Sequence, residues 1–596
     1  VKKLRFSIAI LAAGLILQAA DTKFQLSVES IMRGPKLVGY PPSALRWSGD
    51  SRRLYFEWRE RDADEASTWV VNVDGTGLRK LNDDERKTAP PAVAIWDHQR
   101  RRALSAASGD IVLIDTVAGS RQLITRTSAS ESNPRWARNE TAVTFSRDNC
   151  LYLVSLNDGS DRLVQINDAG PRKRDPQKTE SQKYLEKEEE SLIETVREAD
   201  KRRKKNEERT EKEKLPFLEL SERQTASDLM LAHNEQYVYA LVTDRANNAK
   251  RADVPRYVTT SGYTEVLPGR TKAGDAQDTR RLAILDLKTG KQIWAMLDSG
   301  SAQNPGVASS REAQPATAVA QPRRELQWTM PLLSRDGRYA VSMVRSSDNE
   351  ERWLVALDPA TGKSRVLDHL KDEAWVLDGW RNRGFVGESN RFWFLSERDG
   401  WMHLYVIDVA DRSATPKQLT SGAWEVNSVE VAPDQQTFLL ATSEEHPGEQ
   451  HVYSMPITGG PRTRLTSMIG STDARVSPDG KTLGLIYSSG NRPPEVYLMA
   501  NRTGAEARQV TTSPTQEWLS YPWVEPRLLT FKARDGALVY ARLYTPEMVG
   551  ASRHPLHPGV VFIHGAGYLQ NAHKYWSTYY REYMFHHLLA SRGYVV

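Results

Sequence analysis

With 596 residues, 39% of them hydrophobic and 26% charged, the chain is too long for one ordinary core and too apolar for a disordered polymer. Its 81 basic and 76 acidic residues nearly balance; leaving out Lys2, Lys3 and Arg5, which sit in a candidate targeting segment, 78 face 76, so no electrostatic case for nucleic acid remains. Sixteen Trp and 22 Tyr suit a structure of many short strands.

Lys2-Lys3-Leu4-Arg5, the apolar run from Phe6 to Leu17 and Gln18-Ala19-Ala20 read as a signal peptide over residues 1–20. The run is shorter than the ~20 apolar residues of a membrane span. A secreted or periplasmic protein without a membrane span after cleavage is expected. Because Leu17 or Gln18 stands where the cleavage site favours a small residue, an uncleaved membrane anchor is the alternative. Cys150 is the single cysteine, which excludes an internal disulfide; in Cys150-Leu151-Tyr152-Leu153-Val154 it reads as a buried structural thiol.

From about residue 40 to 520 one unit recurs: a short strand, a polar turn, two further strands and a basic-x-Leu-Thr exit. The clearest copies run from Arg475 through Ser477-Pro478-Asp479-Gly480 to Met499, and from Leu332 through Ser334-Arg335-Asp336-Gly337 to Leu357. Others begin near Leu45, Ala94, Arg135, Leu229, Phe392 and Val431, and exits recur at Leu419-Thr420, Leu465-Thr466 and Val510-Thr511. A period of about 40–50 residues with several strands per unit predicts a β-propeller of seven or eight blades, eight being preferred. Each small sheet then buries its faces against its neighbours, and ring closure protects the edges.

Two insertions break the period. Residues 172–214 are dominated by Lys, Arg, Glu and Asp, and Leu185, Leu192 and Val196 predict one narrow helical stripe. Residues 297–325, rich in Ser, Ala, Gln, Pro and Gly, are expected to form a flexible loop. His446 and His451 with Glu444, Glu445 and Glu449 fit no zinc spacing and read as a surface loop, so no metal is expected. No phosphate or dinucleotide loop is found, and no cofactor is expected.

The propeller is therefore assigned to 21–522, and residues 523–596 differ in kind. Leu528–Ala533 and Ala537–Tyr544 flank Arg534-Asp535-Gly536 as a hairpin. Gly559-Val560-Val561-Phe562-Ile563 then predicts a buried parallel strand running into His564-Gly565-Ala566-Gly567, followed by a helix from Tyr579 to Ser591 and a further strand at Tyr594. This is the order in which an α/β-hydrolase sheet begins. Glycines after such a strand let backbone N–H groups approach a developing oxyanion, which makes His564 and Gly565 the oxyanion-hole candidates.

The chain resembles the prolyl oligopeptidase family of serine peptidases, in its dipeptidyl peptidase IV-like and acylaminoacyl peptidase-like branches. Ser396-Glu397-Arg398-Asp399-Gly400-Trp401-Met402-His403-Leu404-Tyr405, Pro493-Pro494-Glu495-Val496-Tyr497 and the stretch from Phe531 to Pro546 carry the resemblance. It implies a propeller capping a hydrolase that cleaves short peptides through a Ser-Asp-His triad. In dipeptidyl peptidase IV-like members a tyrosine hydroxyl serves the oxyanion at the position matching His564. There His564 would donate through its ring, leave the task to N–H groups near Gly565, or take a structural place under the loop. Those members also hold the substrate N-terminus with paired glutamates. Glu188, Glu189 and Glu190 are the weak counterparts, with a solvated charged helix as the better reading.

No Gly-x-Ser-x-Gly occurs; Gly387-Glu388-Ser389-Asn390-Arg391 lacks its last glycine. The catalytic Ser, Asp and His are expected beyond Val596, and the chain alone is expected to be inactive. The expected partner is a peptide substrate, and homo-oligomerisation stays open. The rival reading is a periplasmic propeller that binds peptides or proteins without catalysis.

Overall fold

The computed structural model describes residues 24–156, 163–171, 178–272, 274–297, 325–377, 383–565 and 570–596. The signal-peptide assignment and almost all of the predicted flexible insertion lie outside these residues. Eight successive four-stranded units form a ring, in which blades 1 to 8 span 43–80, 95–123, 132–165, 224–294, 326–371, 384–418, 426–464 and 471–509. Blade 5 splits its first strand into Leu326–Trp328 and Leu332–Leu333, and one parallel contact, Arg280 with Gln327, links it to blade 4. The preferred blade count of eight is the one observed.

The period-2 geometry of a strand explains the packing. In blade 6, Phe392 and Phe394 pack toward blade 5 with Met343 and Leu354, while Trp393 and Leu395 pack toward blade 7 with Phe438 and Leu440. Every strand thus serves two seams, and wholly apolar runs such as Phe392–Leu395 are accounted for. Cys150 takes part in this way, buried and unpaired between blades 2 and 3.

The repeated turn and exit motifs have a common geometry. Ser48, Ser334 and Ser477 each donate Oγ–H to the aspartate two residues on, at 2.6, 2.7 and 2.6 Å. Each Oγ also accepts the N–H of the residue entering the second strand, at 3.0 Å. The exit threonines cap the third strand. Thr125, Thr420, Thr466 and Thr511 accept the N–H groups of Ile111, Leu404, Val452 and Val496 at 2.8, 2.9, 2.9 and 2.9 Å. These bonds satisfy buried N–H groups where the fourth strand has ended.

Among the described residues the ring closes without a shared strand. Trp47 of blade 1 donates Nε1–H to the Arg475 carbonyl at 2.9 Å, and Leu54, Phe56 and Val71 pack on Val496 and Leu498 of blade 8. The flanking segments cross beside this seam. Thr515 N–H donates to Leu37 O at 3.1 Å, and Trp58 Nε1–H reaches both Tyr40 O and Ser513 Oγ, at 3.0 and 3.1 Å. Gly39, at φ +78°, lies so close that a Cβ would come within 2.2 Å of Ser513 O.

Propeller strands start at Ser43, not at residue 21. Phe24, Leu26, Ile31, Leu37 and Val38 share a core with Trp518, Tyr544, Tyr583, Met584 and Leu588, so the N-terminal segment packs with the C-terminal unit. The charged insertion forms two helices, Glu180–Leu192 and Glu194–Glu213, where one stripe was predicted; extended Ile193 separates them. Leu185 and Leu192 are exposed, because the stripe is too narrow to dock.

Candidate functional site

In the C-terminal unit, strands Arg527–Lys532 and Leu538–Leu543 pair as a hairpin around Gly536 at φ +86°, as its Asp-Gly turn predicts. Tyr544 and Val596 exchange both backbone hydrogen bonds at 2.9 Å, and Val595 pairs in parallel with Gly559. Residues 594–596 therefore lie between the hairpin and 558–560. The helix Tyr580–Ser591 makes the crossover that a parallel pair requires.

The predicted buried strand at 559–563 is realised only at its start. Val561 and Ile563 are 83% and 82% exposed. A parallel strand becomes buried when neighbours and helices cover it on both sides, and among the described residues only 594–596 pairs with it. The strand leads into an open cavity of about 530 Å³ bordered by Phe562, His564, Gly565, Thr578, Arg581 and Glu582. The oxyanion candidates His564 and Gly565 are both exposed here, and His564 Nδ1 lies 3.1 Å from the Gly565 carbonyl. An added Cβ on Gly565 would meet nothing within 4 Å. Ala566 and Gly567 lie outside the described residues.

Beneath the cavity sits a polar network that the sequence did not single out. Arg542 donates to Asn571 O and Tyr544 Oη, each at 3.0 Å, and Asn571 Nδ2–H donates to Glu582 Oε2 at 2.9 Å. Burial raises the Glu582 pKa from its ordinary value, against the opposing pull of Arg542, Ser577, His564 and Asn571. Burial also raises Glu525 and lifts the Tyr544 hydroxyl to about 12. His573, His586 and His587 are lowered to about 4, chiefly by burial.

Above the module, the first strands of blades 1, 2, 7 and 8 border one cavity of about 750 Å³, with Arg46, Arg100, Glu430, Asp473 and Arg475 on its wall. Blades 7, 8, 1 and 2 are consecutive around the closed ring, and a cavity shared by the first strands of four successive sheets lies where those sheets converge, on the side of the central channel. A smaller cavity of about 280 Å³ shares Ser428 and Asp473 with it and is bordered by Tyr575 of the C-terminal unit. The channel thus adjoins the segment that follows His564-Gly565.

The loop bearing His446, Glu449 and His451 is not the surface loop its sequence suggests. His451 and Glu449 are buried, and Lys574 Nζ meets Glu449 Oε1 at 2.5 Å. Glu444 is bound by Arg462, and Glu445 faces Arg464 and accepts from Tyr453. Among the described residues no group of three His, Cys, Asp or Glu side chains is arranged to hold a metal. Glu188 and Glu189 are exposed, and Glu190 half-buried, on the helix Glu180–Leu192; among the described residues of 559–582 none is hydrogen-bonded or ion-paired to them.

Those residues carrying the resemblance that lie in the propeller are structural there. His403 is buried, its ring 3.0 Å from both Thr420 Oγ1 and Gly422 O, and Arg398 joins Arg352 on buried Asp368. Glu495 accepts from Thr511 and from Ser513 N–H, at 2.6 Å each.

An eight-bladed ring over the opening strands of an α/β sheet defines a propeller-capped α/β protein. Residues 243–494, from blade 4 into blade 8, match the family described as Dipeptidyl peptidase IV (DPP IV) N-terminal region. A probable dipeptidyl peptidase 4 from Aspergillus flavus is 28% identical over 114 residues, a match spanning 18% of this chain and 14% of that protein. The crystal structure of Porphyromonas gingivalis dipeptidyl peptidase 4 superposes with a TM-score of 0.59 at 16% identity, covering 96% of this chain and 73% of that one. The propeller of this chain is thus similar to the N-terminal region of dipeptidyl peptidase IV-like proteins.

Proposed function

We propose that this chain is the propeller and the opening of the catalytic domain of an exported serine peptidase acting on short peptides. The observation that carries the reading is the strand order of the C-terminal unit, with 594–596 between the hairpin and 558–560, beneath a propeller channel that adjoins it. In such a sheet the loop after 559–563 borders the reacting carbonyl, so N–H groups near Gly565 and the His564 ring are placed to meet an oxyanion.

The nucleophilic serine, its general base histidine and the orienting aspartate come from sequence other than these 596 residues. Serine attacks the scissile carbonyl, histidine takes its proton and returns it to the leaving amine, and water then releases the acyl group. The channel restricts access to extended peptides. Export is read from Lys2-Lys3-Leu4-Arg5 and the apolar run after it. Because Glu188–Glu190 have no tie to the cavity among the described residues, release of dipeptides is not assigned.

A fluorophosphonate probe on the product of the complete gene tests the reading. Covalent labelling of that product, and none of the 596-residue chain, is expected. An unlabelled complete product would favour a propeller that binds peptides or proteins without catalysis.

A further inference from the structure

The 444–451 loop of blade 7 reaches across to residues 570–576, which follow the His564-Gly565 loop. Lys574 N–H donates to Gly448 O at 2.8 Å, and Gln570 Nε2–H donates to Pro447 O at 3.0 Å. Glu449 joins the two units: its Oε1 accepts from Lys574 Nζ at 2.5 Å, and its Oε2 lies 2.8 Å from His451 Nε2. His446 Nδ1 accepts Gly448 N–H at 2.9 Å, and its ring meets Tyr540 edge-on. The loop has no spare room, since a Cβ on Gly448 would come within 2.9 Å of His573 Cα.

Charge and burial make this more than a surface contact. The Glu449 and His451 side chains are 9% and 1% exposed, and Lys574 is 32% exposed. Burial works against the Glu449 charge, but hydrogen bonds from Lys574 and His451 outweigh it and hold the carboxyl below its ordinary value. A buried carboxylate with two partners on different elements fixes both, because releasing either leaves a buried charge poorly compensated. From the C-terminal side, Asn571 continues the connection to Glu582, which borders the cavity at His564.

We infer that Glu449 is a positioning residue through which blade 7 fixes the segment behind the oxyanion loop. The inference rests on the peptidase reading for its role in catalysis, though not for the latch itself. The propeller then has a second task besides restricting access: it completes the support of a loop whose own sheet holds it on one side.

Hydrogen–deuterium exchange on the 596-residue chain reads the latch directly. Glu449→Gln should speed exchange across 570–577 by about tenfold, while the helix Tyr580–Ser591 and the strands of blade 6 keep their rates. Lys574→Met, at a half-exposed position, should reproduce the effect, Lys574→Arg should not, and the double variant should add little to either single one. Unchanged exchange in both single variants, a uniform rise over the whole chain, or full additivity would each overturn the latch.

With the complete gene product, the rate of fluorophosphonate labelling should fall several-fold in Glu449→Gln and stay near wild type in Lys574→Arg. Faster exchange with unaltered labelling would overturn the role in the reaction. A wild-type product that takes no label would sink the peptidase reading alone, with the exchange result standing.

Discussion

Three buried histidines make the C-terminal unit sensitive to acid. His573, His586 and His587 are 2%, 9% and 0% exposed, and burial lowers each from an ordinary 6.5 to about 4. Between those values the unfolded chain binds protons that the folded unit refuses. Stability therefore rises with pH across this window and is lost as the pH falls through it. At pH 5 the penalty is roughly 2 kcal/mol per histidine, or roughly 6 kcal/mol for three independent sites, and somewhat different for the adjacent pair. That is comparable with the whole stability of an ordinary domain. Glu525 and Glu582 act in the opposite sense: burial raises both, so the folded unit takes up their protons first and recovers part of the loss. Trp518, Trp523 and Trp576 report from the same core. Lowering the pH from 7.5 to 4.5 should change their fluorescence before the far-ultraviolet signal of the propeller strands changes. His573→Phe should keep the stack on Tyr575, whose ring lies at 3.9 Å and 6°, and lower the acid midpoint while removing about one proton from the transition. A unit that keeps its fluorescence at pH 4.5, or a variant with an unaltered proton count, would refute the reasoning.

The seam between blades 1 and 8 should be sensitive to Trp47, which is buried and hydrogen-bonded across it. Trp47→Ala is expected to cost about 3–5 kcal/mol, and Trp47→Phe about 1 kcal/mol for the lost hydrogen bond. Chemical denaturation gives the totals, and exchange should quicken first in 43–58 and 471–500; a change confined to other blades would count against seam opening. Asp368→Asn removes the carboxylate facing Arg352 and Arg398, where Asp368 and Arg352 side chains are 2% and 0% exposed. A loss of about 3–5 kcal/mol by denaturant titration is expected, and a loss under about 1 kcal/mol would show the buried charges to be dispensable.

The propeller was largely legible in the sequence because its signals are local and repeated. A Ser-x-Asp turn closes on itself over five residues, and an exit threonine caps a strand about 15 residues earlier, so each blade announces itself without reference to the others. The hairpin at Asp535-Gly536 and the helix ending at Ser591 were legible for the same reason. What the sequence concealed depends on distant partners. Nothing near Glu449 marks Lys574 as its counter-ion, 125 residues on, and a loop of His, Glu, Pro and Gly naturally reads as solvated. The polar network under His564 joins Arg542, Asn571 and Glu582 from three segments, none with a motif of its own. The continuous apolar run Val560–Ile563 indicated a buried strand, which is realised only at the Gly559 bridge because a parallel strand needs neighbours that local pattern does not supply.

Ring closure and assembly of the C-terminal unit are one problem in this fold. Because blades 1 and 8 share no strand among the described residues, opening their seam costs packing and side-chain hydrogen bonds such as Trp47 to Arg475 O, but no backbone ladder. The segments just outside the ring supply the missing constraint. Residues 37–40 lie against 513–515 through the Thr515 N–H bond to Leu37 O, the Trp58 Nε1–H shared by Tyr40 O and Ser513 Oγ, and the Gly39–Ser513 approach, and Glu495 anchors Ser513 back onto blade 8. Both segments then continue into the same core, where Ile31, Val38, Trp518 and Tyr583 meet. Burying that core draws together the two ends of the propeller, and closing the propeller brings the N-terminal segment to the helix Tyr580–Ser591. Each event raises the effective concentration of the other's partners, so the ring needs no exchanged strand to hold its circle while it carries the C-terminal unit.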